Sequence, residues 1–258
     1  AFSNAEYKAV FSCTGGIDQI QLISHLDAAI FKKNPKPFFA YSDNTHFMNF
    51  LWLNGIPSYY GGSLFTQFAM QGRMDEYTVQ YLKEAMFESG QKEIHPSKQF
   101  NDVGLNWSDP MTLNQQRTYE SNEEWFWDGA ENVEGVTWGG CLESIDELLR
   151  HGIQIPSLED FENIILITET SEEIPSGDYV FRVYRAFGER GILARVKGIL
   201  VGRPKAWEFD KPQSIEKRTE YRKRQRDTIL KAIRMYNPTV TVIQNLDFGH
   251  TDPQIPMP

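Results

Sequence analysis

The sequence predicts an α/β protein with a parallel sheet. Short apolar runs rich in β-branched and aromatic residues alternate with segments of helical spacing, and glycine or proline punctuates each alternation. The plainest of these runs, Ile164-Ile165-Leu166-Ile167-Thr168, is apolar enough to be a buried strand.

In chain order, Val10 to Cys13 reads as a first strand, broken by Gly15-Gly16. Ile17, Ile20 and Ile23 then continue toward Leu26 at spacing compatible with a helix. Asn34-Pro35-Lys36-Pro37 closes that unit. Phe38 to Tyr41 is the next strand, and Asp43 to Leu53 carries Phe47, Phe50, Leu51 and Trp52 at helical intervals, with Ser42 or Asp43 as its cap. An amphipathic helix is expected near Thr78 to Glu88. From about Asp75 to Asp128 the chain is otherwise polar and aromatic with little periodicity, and reads as a linker plus a binding loop. After Gly139-Gly140, Leu142, Ile145, Leu148 and Leu149 mark a helix, followed by the strand ending on Glu169. Val180, Val183, Tyr184 and Phe187 mark another helix, stopped by Gly188 and Gly191. Val196 to Val201 reads as a strand, Ser214 to Tyr236 as a long charged helix and Thr239 to Ile243 as the last strand.

Composition limits the function. The 258 residues are 40% hydrophobic, enough for a sizeable core in one or two domains, and two are expected. A formal charge of -9 argues against nucleic acid or an anionic membrane as the main partner; a small molecule or peptide fits better. The basic segment Arg222-Lys223-Arg224-Gln225-Arg226 is interspersed with Glu220 and Asp227 and reads as a solvated face. Two distant cysteines, Cys13 and Cys141, support neither a disulfide framework nor a cysteine zinc site, so a reducing cytoplasm is expected. No histidine pair has metal-ligand spacing, and no metal or cofactor is expected. Neither a membrane span nor a leader peptide is expected. The chain starts at Ala1, almost directly on a strand, and is expected to be a fragment.

Three residues share one topological position. Ser42, Glu169 and His250 each come at or just after the carboxyl end of an expected strand, the rim where open α/β sheets gather catalytic groups. Serine needs an imidazole to take its proton, and the imidazole needs a carboxylate to fix its tautomer; His250 fits the first role and Glu169 the second. Taken singly, each has a plainer reading as helix cap, strand end or turn residue. His46, four residues after Ser42 on the same helix face, is a competing base. The backbone N–H of Asp43 and the Gly15-Gly16 turn are candidate oxyanion donors.

These residues resemble the serine peptidases that unite the LD-carboxypeptidases with the microcin C immunity proteins. The resemblance runs through Thr14-Gly15-Gly16, Lys36-Pro37-Phe38-Phe39-Ala40-Tyr41-Ser42-Asp43-Asn44-Thr45, Glu134-Gly135 with Gly139-Gly140, Leu166-Ile167-Thr168-Glu169, Gly198-Ile199-Leu200-Val201-Gly202-Arg203 and Phe248-Gly249-His250-Thr251. It implies a Ser42-Glu169-His250 triad, an oxyanion hole from Asp43 with Gly15 and Gly16, and a homodimer. It also implies a partial N-terminal parallel-sheet α/β domain (1–131) and a smaller, swivelling-type C-terminal α/β domain (132–258), with the active site between them. Two departures stand out: Ala40 occupies a position where the family has glycine, and family members carry further elements ahead of the Gly-Gly turn, so truncation within the first domain is expected. Glu124-Trp125-Phe126-Trp127-Asp128 and Trp138 look like the immunity branch, whose tryptophans stack on the base of a peptidyl-nucleotide; Trp125, Trp127 and Trp138 are thereby expected to bind substrate. Packing across the domain interface is the plainer role for these tryptophans. Hydrolysis of a cell-wall muropeptide, releasing a terminal D-residue, is the close alternative, and a catalytically silent peptide-binding protein is a third.

Overall fold

The structure, a computed structural model, describes residues 1–258. Its elements are β1 (Val10–Phe11), α1 (Ile20–Ile23), α2 (Ala28–Lys33), β2 (Phe38–Ala40), α3 (Thr45–Leu53), β3 (Ser58–Tyr60), α4 (Glu76–Phe87), β4 (Gln99–Phe100), β5 (Glu120–Ser121), β6 (Phe126–Asp128), β7 (Val136–Cys141), α5 (Leu142–His151), β8 (Ile164–Glu169), α6 (Gly177–Glu189), β9 (Gly198–Gly202), α7 (Ile215–Tyr236) and β10 (Thr241–Leu246). A short parallel sheet has the order β1-β2-β3. A mixed five-stranded sheet has the order β6-β10-β9-β8-β7, in which only β6 runs antiparallel to its neighbour. This is the mixed α/β architecture the alternation predicts. No helix is long and apolar enough to cross a membrane.

Local chemistry sets the helix ends. Asp27 caps α2, Ser176 caps α6 and Ser214 caps α7 by accepting a backbone N–H two or three residues on. Gly152 ends α5 in the left-handed conformation that glycine adopts most cheaply. One apolar cluster fills the space between the five-stranded sheet and helices α5, α6 and α7, with Trp138, Phe161, Tyr184 and Phe187 at its centre. A second gathers Phe31, Phe38, Phe50 and Leu51 from the first part of the chain with Cys141, Ile167, Leu246 and Phe248 from the second, so the two sheets share a core. That shared core fixes the carboxyl ends of β2, β8 and β10 relative to one another.

Five strands escaped the sequence reading: β3 and β7, and also β4, β5 and β6, which lie in the stretch expected to be a linker and binding loop. Residues 58–60 are too few to show a period, and Pro57 and Gly61-Gly62 crowd them on both sides. In β7, Gly139 and Gly140 read as a break yet lie inside the strand, at φ 140° and 134°. Both are glycine because of close approach: a Cβ on Gly139 would lie 1.9 Å from the carbonyl oxygen of Ile167, and one on Gly140 would lie 2.6 Å from Thr45 Oγ1. Gly139→Ala is expected to destabilise the fold by about 3 kcal/mol or more, since backbone must move and the positive φ adds strain. Urea unfolding followed by circular dichroism measures this; a loss under about 1 kcal/mol would contradict the close packing.

Candidate active site

Ser42 sits where β2 turns into a 3₁₀ turn, Ser42–Asn44, that leads into α3. Its φ is 66°, the left-handed region that costs a non-glycine residue about 1–2 kcal/mol. Tertiary contacts hold it there. The backbone N–H of Ser42 donates to Tyr60 Oη at 3.0 Å, and its carbonyl accepts from Thr45 Oγ1 at 2.7 Å. Thr45 Oγ1 in turn accepts the Cys141 N–H at 3.0 Å, which ties this elbow to the start of α5. Gly15 lies against the serine so closely that a Cβ there would be 2.8 Å from Oγ and 3.5 Å from the Asp43 nitrogen.

Glu169 ends β8 and is buried. Its Oε1 accepts from Tyr60 Oη at 2.5 Å, and its Oε2 lies 2.7 Å from His250 Nδ1. Tyr60 thus bridges the Ser42 backbone and the carboxylate. Glycines leave room for it: a Cβ on Gly249, at φ 103°, would lie 2.5 Å from Glu169 Oε2, and one on Gly202 would lie 2.8 Å from Glu169 Cβ. His250 follows β10 in a turn anchored by a buried ion pair, Arg203 Nη2 to Asp247 Oδ1 at 2.6 Å. Asp247 also accepts from Ser97 Oγ at 2.6 Å. The other ring nitrogen, Nε2, lies 3.1 Å from Glu172 Oε2. Burial favours the neutral ring, but the charge and hydrogen bond of Glu169 and those of Glu172 outweigh it and raise the His250 pKa to about 10.

Ser42 and His250 line one cavity of about 580 Å³, a size usual for small-molecule sites. Gly15 and Gly16 lie on its wall, with Lys205, Trp107 and Phe209. Arg117 there is paired with Asp252. Lys205 Nζ donates to the Asp102 carbonyl at 3.1 Å and has no carboxylate within ion-pair distance, which leaves donors for an anionic ligand.

The residues singled out by strand-end position therefore converge, whereas the aromatic expectations are corrected. Trp138 is buried in the core edge-on to Phe161. Trp125 donates Nε1 to Asp247 at 3.0 Å and packs on the second cluster. Trp127 points outward on β6, 65% exposed. None lines the cavity: strand pairing places Trp127 on the edge strand β6 and Trp138 in the core, and the bond to Asp247 holds Trp125 just ahead of β6. His46 is fully buried, with Nε2 3.3 Å from Asp43 and 3.2 Å from Glu147, and does not line the cavity either. Sequence reasoning missed Tyr60, Glu172, Lys205, Trp107 and Phe209. A signal existed for two of them, since Glu172 and Lys205 each follow a strand end by three residues.

A strained serine at a strand-helix elbow, sharing a cavity with an imidazole held by a buried carboxylate, is the arrangement of the serine-peptidase class of sites. The LD-carboxypeptidase N-terminal domain matches residues 1–61 and the LD-carboxypeptidase C-terminal domain matches residues 134–258. A protein of Treponema pallidum (strain Nichols) with a provisional carboxypeptidase name is 30% identical over 262 residues, covering 100% of this chain and 69% of the relative. YocD of Bacillus subtilis (strain 168), also provisionally named a carboxypeptidase, is 27% identical over 98% of this chain and 71% of its own length. Among solved structures, an MccF-like protein from Streptococcus pneumoniae in complex with AMP superposes with a TM-score of 0.83 at 25% identity, covering 98% of this chain and 74% of that one. The microcin C7 self immunity protein MccF in complex with aspartyl sulfamoyl adenosine shares the fold, with a TM-score of 0.80 at 20% identity, covering 99% and 72%. The chain belongs to the LD-carboxypeptidase family and is accordingly a serine-type carboxypeptidase.

Proposed function

We propose that the chain hydrolyses the C-terminal amide linkage of a peptidyl-nucleotide, with Ser42 as nucleophile, His250 as base and Glu169 as the group that orients the ring. The observation that carries this reading is one cavity holding both a serine at φ 66° and an imidazole whose Nδ1 lies 2.7 Å from a buried carboxylate. Neutral His250 takes the proton of Ser42, Oγ attacks the amide carbonyl, and the N–H of Asp43 with the Gly15-Gly16 turn receives the developing charge. The imidazolium then protonates the leaving amine. Water cleaves the acyl-enzyme by the reverse relay. The assignment comes with a division at residues 131/132, an active site between the two domains, and a cytoplasmic homodimer.

Three features favour a nucleotide leaving group. The cavity is large enough, Trp107 and Phe209 put exposed aromatic rings of the kind bases stack on at its wall, and Lys205 offers a cation for a phosphate or sulfamate. The complexes of the S. pneumoniae relative and of MccF hold nucleotide-like ligands. A second reading, release of a terminal D-residue from a cell-wall tetrapeptide, is favoured by the family match, and Lys205 would take its carboxylate equally well.

Mass-spectrometric product analysis with a peptidyl-sulfamoyl adenylate and, separately, an L,D-tetrapeptide decides between them. Cleavage of the adenylate alone is expected; cleavage of the tetrapeptide alone would transfer the chemistry to cell-wall peptides. In the same assay Lys205→Ala is expected to raise KM for the cleaved substrate about tenfold or more with kcat little changed, as loss of uniform binding by a charged donor does.

A further inference from the structure

His250 has two nitrogens and, in this structure, two carboxylate partners. Glu169 holds Nδ1 from the end of β8, while Glu172 lies 3.1 Å from Nε2, the atom that must face Ser42 if His250 is the base. Glu172 differs from Glu169 in setting. Glu169 is buried and fixed by Tyr60, whereas the Glu172 side chain is half exposed and lines both the large cavity and a smaller pocket of about 90 Å³ on the other side of Ser42. The loop beneath it is pinned: the N–H and Oγ of Ser171 donate to Glu143 at 3.0 and 2.8 Å, and Ser171 Oγ accepts the Glu173 N–H at 3.2 Å. The side chain can therefore swing without the backbone.

We propose that Glu172 is a positioning residue that caps Nε2 of His250 in the free protein, holds the ring as an imidazolium, and must be displaced by substrate before Ser42 can be deprotonated. This rests on the reading of Ser42 and His250 as nucleophile and base. On displacement, Nε2 releases its proton to water, and the neutral nitrogen then accepts the Ser42 Oγ proton. The other groups around the ring do not substitute for Glu172. Tyr41 presents its ring edge-on, with centroids 5.0 Å apart, and Tyr60 bonds Glu169 and the Ser42 N–H rather than the ring. Lys205 and Asp252 share the cavity, and Asp252 is paired with Arg117. The reciprocal effect appears on Glu172: the hydrogen bond from His250 outweighs the cost of burial and lowers its pKa to about 2.

The test is a titration of the His250 ring by NMR in the wild type, Glu172→Gln and Glu172→Asp, with pH profiles of kcat/KM on the cleaved substrate. Glu172→Gln is expected to lower the ring pKa by at least about one unit, to move the acid limb of kcat/KM down equally, and to raise kcat/KM at pH 7 about tenfold, since one unit gives ten times more neutral base. Glu172→Asp, shorter by one methylene, should fall between. An unchanged ring pKa in Glu172→Gln would overturn the cap. A lowered ring pKa with kcat/KM at pH 7 reduced would overturn its restraining role, making Glu172 a helper of catalysis. A lowered ring pKa with no substrate cleaved by any form would leave the cap standing and overturn the reading of Ser42 and His250 instead.

Discussion

Ser42→Ala is expected to lower kcat by about 10⁴-fold or more on whichever substrate is cleaved, while the protein stays folded and binds the substrate. The size follows from the chemistry: without Oγ there is no acyl-enzyme, and only positioning and oxyanion contacts remain. Ser42 also stores backbone strain at φ 66°. Ser42→Gly removes the side chain and admits the left-handed conformation freely, so it should be equally inactive yet more stable than Ser42→Ala, by up to about 1 kcal/mol after the entropy cost of glycine. Parallel kinetics and urea titrations read both effects. Retention of more than about a hundredth of wild-type kcat by Ser42→Ala would remove Ser42 as nucleophile. Labelling of Ser42 by a serine-directed phosphonate would tell against a silent binding protein.

Glu169→Gln is expected to cost about 10³–10⁴-fold in kcat, because an amide cannot fix the tautomer that presents a basic Nε2 to Ser42. It should also change the pH dependence of stability. The folded ring titrates near 10, well above the ordinary 6.5, so between those values the folded state binds more protons than the unfolded one. The stabilisation from this group is therefore fully present below about pH 6.5 and is lost as pH rises toward 10. Glu169→Gln should flatten that decline, and Glu172→Gln should flatten it in part. The catalytic outcomes diverge: both changes lower the ring pKa, but only Glu172→Gln leaves a correctly oriented base. A wild-type stability curve that rises from pH 7 to 10 with His250 present, and falls with His250→Gln, would contradict the proposed proton binding.

The strand ends were legible because burial on both faces demands continuous apolar runs. Those runs stop where the chain reaches the rim, with Glu169 as the last residue of β8 and His250 four residues past the end of β10. The tryptophans were misread for the complementary reason. A sequence shows that Trp125, Trp127 and Trp138 are aromatic, but the direction of each ring depends on which strand β6 and β7 pair with, and those partners are about 30 to 120 residues away. Likewise Gly139-Gly140 signals a special backbone without saying whether it turns or passes close to another strand; the Ile167 carbonyl decides that.

The sequence by itself determined the alternating α/β order and the three strand-end residues, because these depend on local periodicity; the cap it suggested at Ser42 or Asp43 is not formed, since a 3₁₀ turn intervenes and no side chain caps α3. Only the tertiary structure decided that Tyr60 joins Ser42 to Glu169, that Trp107, Phe209 and Lys205 rather than the expected tryptophans line the cavity, and that Glu172 meets the second nitrogen of His250. Each of these is a contact between distant segments brought together by the shared core of two sheets, and such contacts leave no period in the chain.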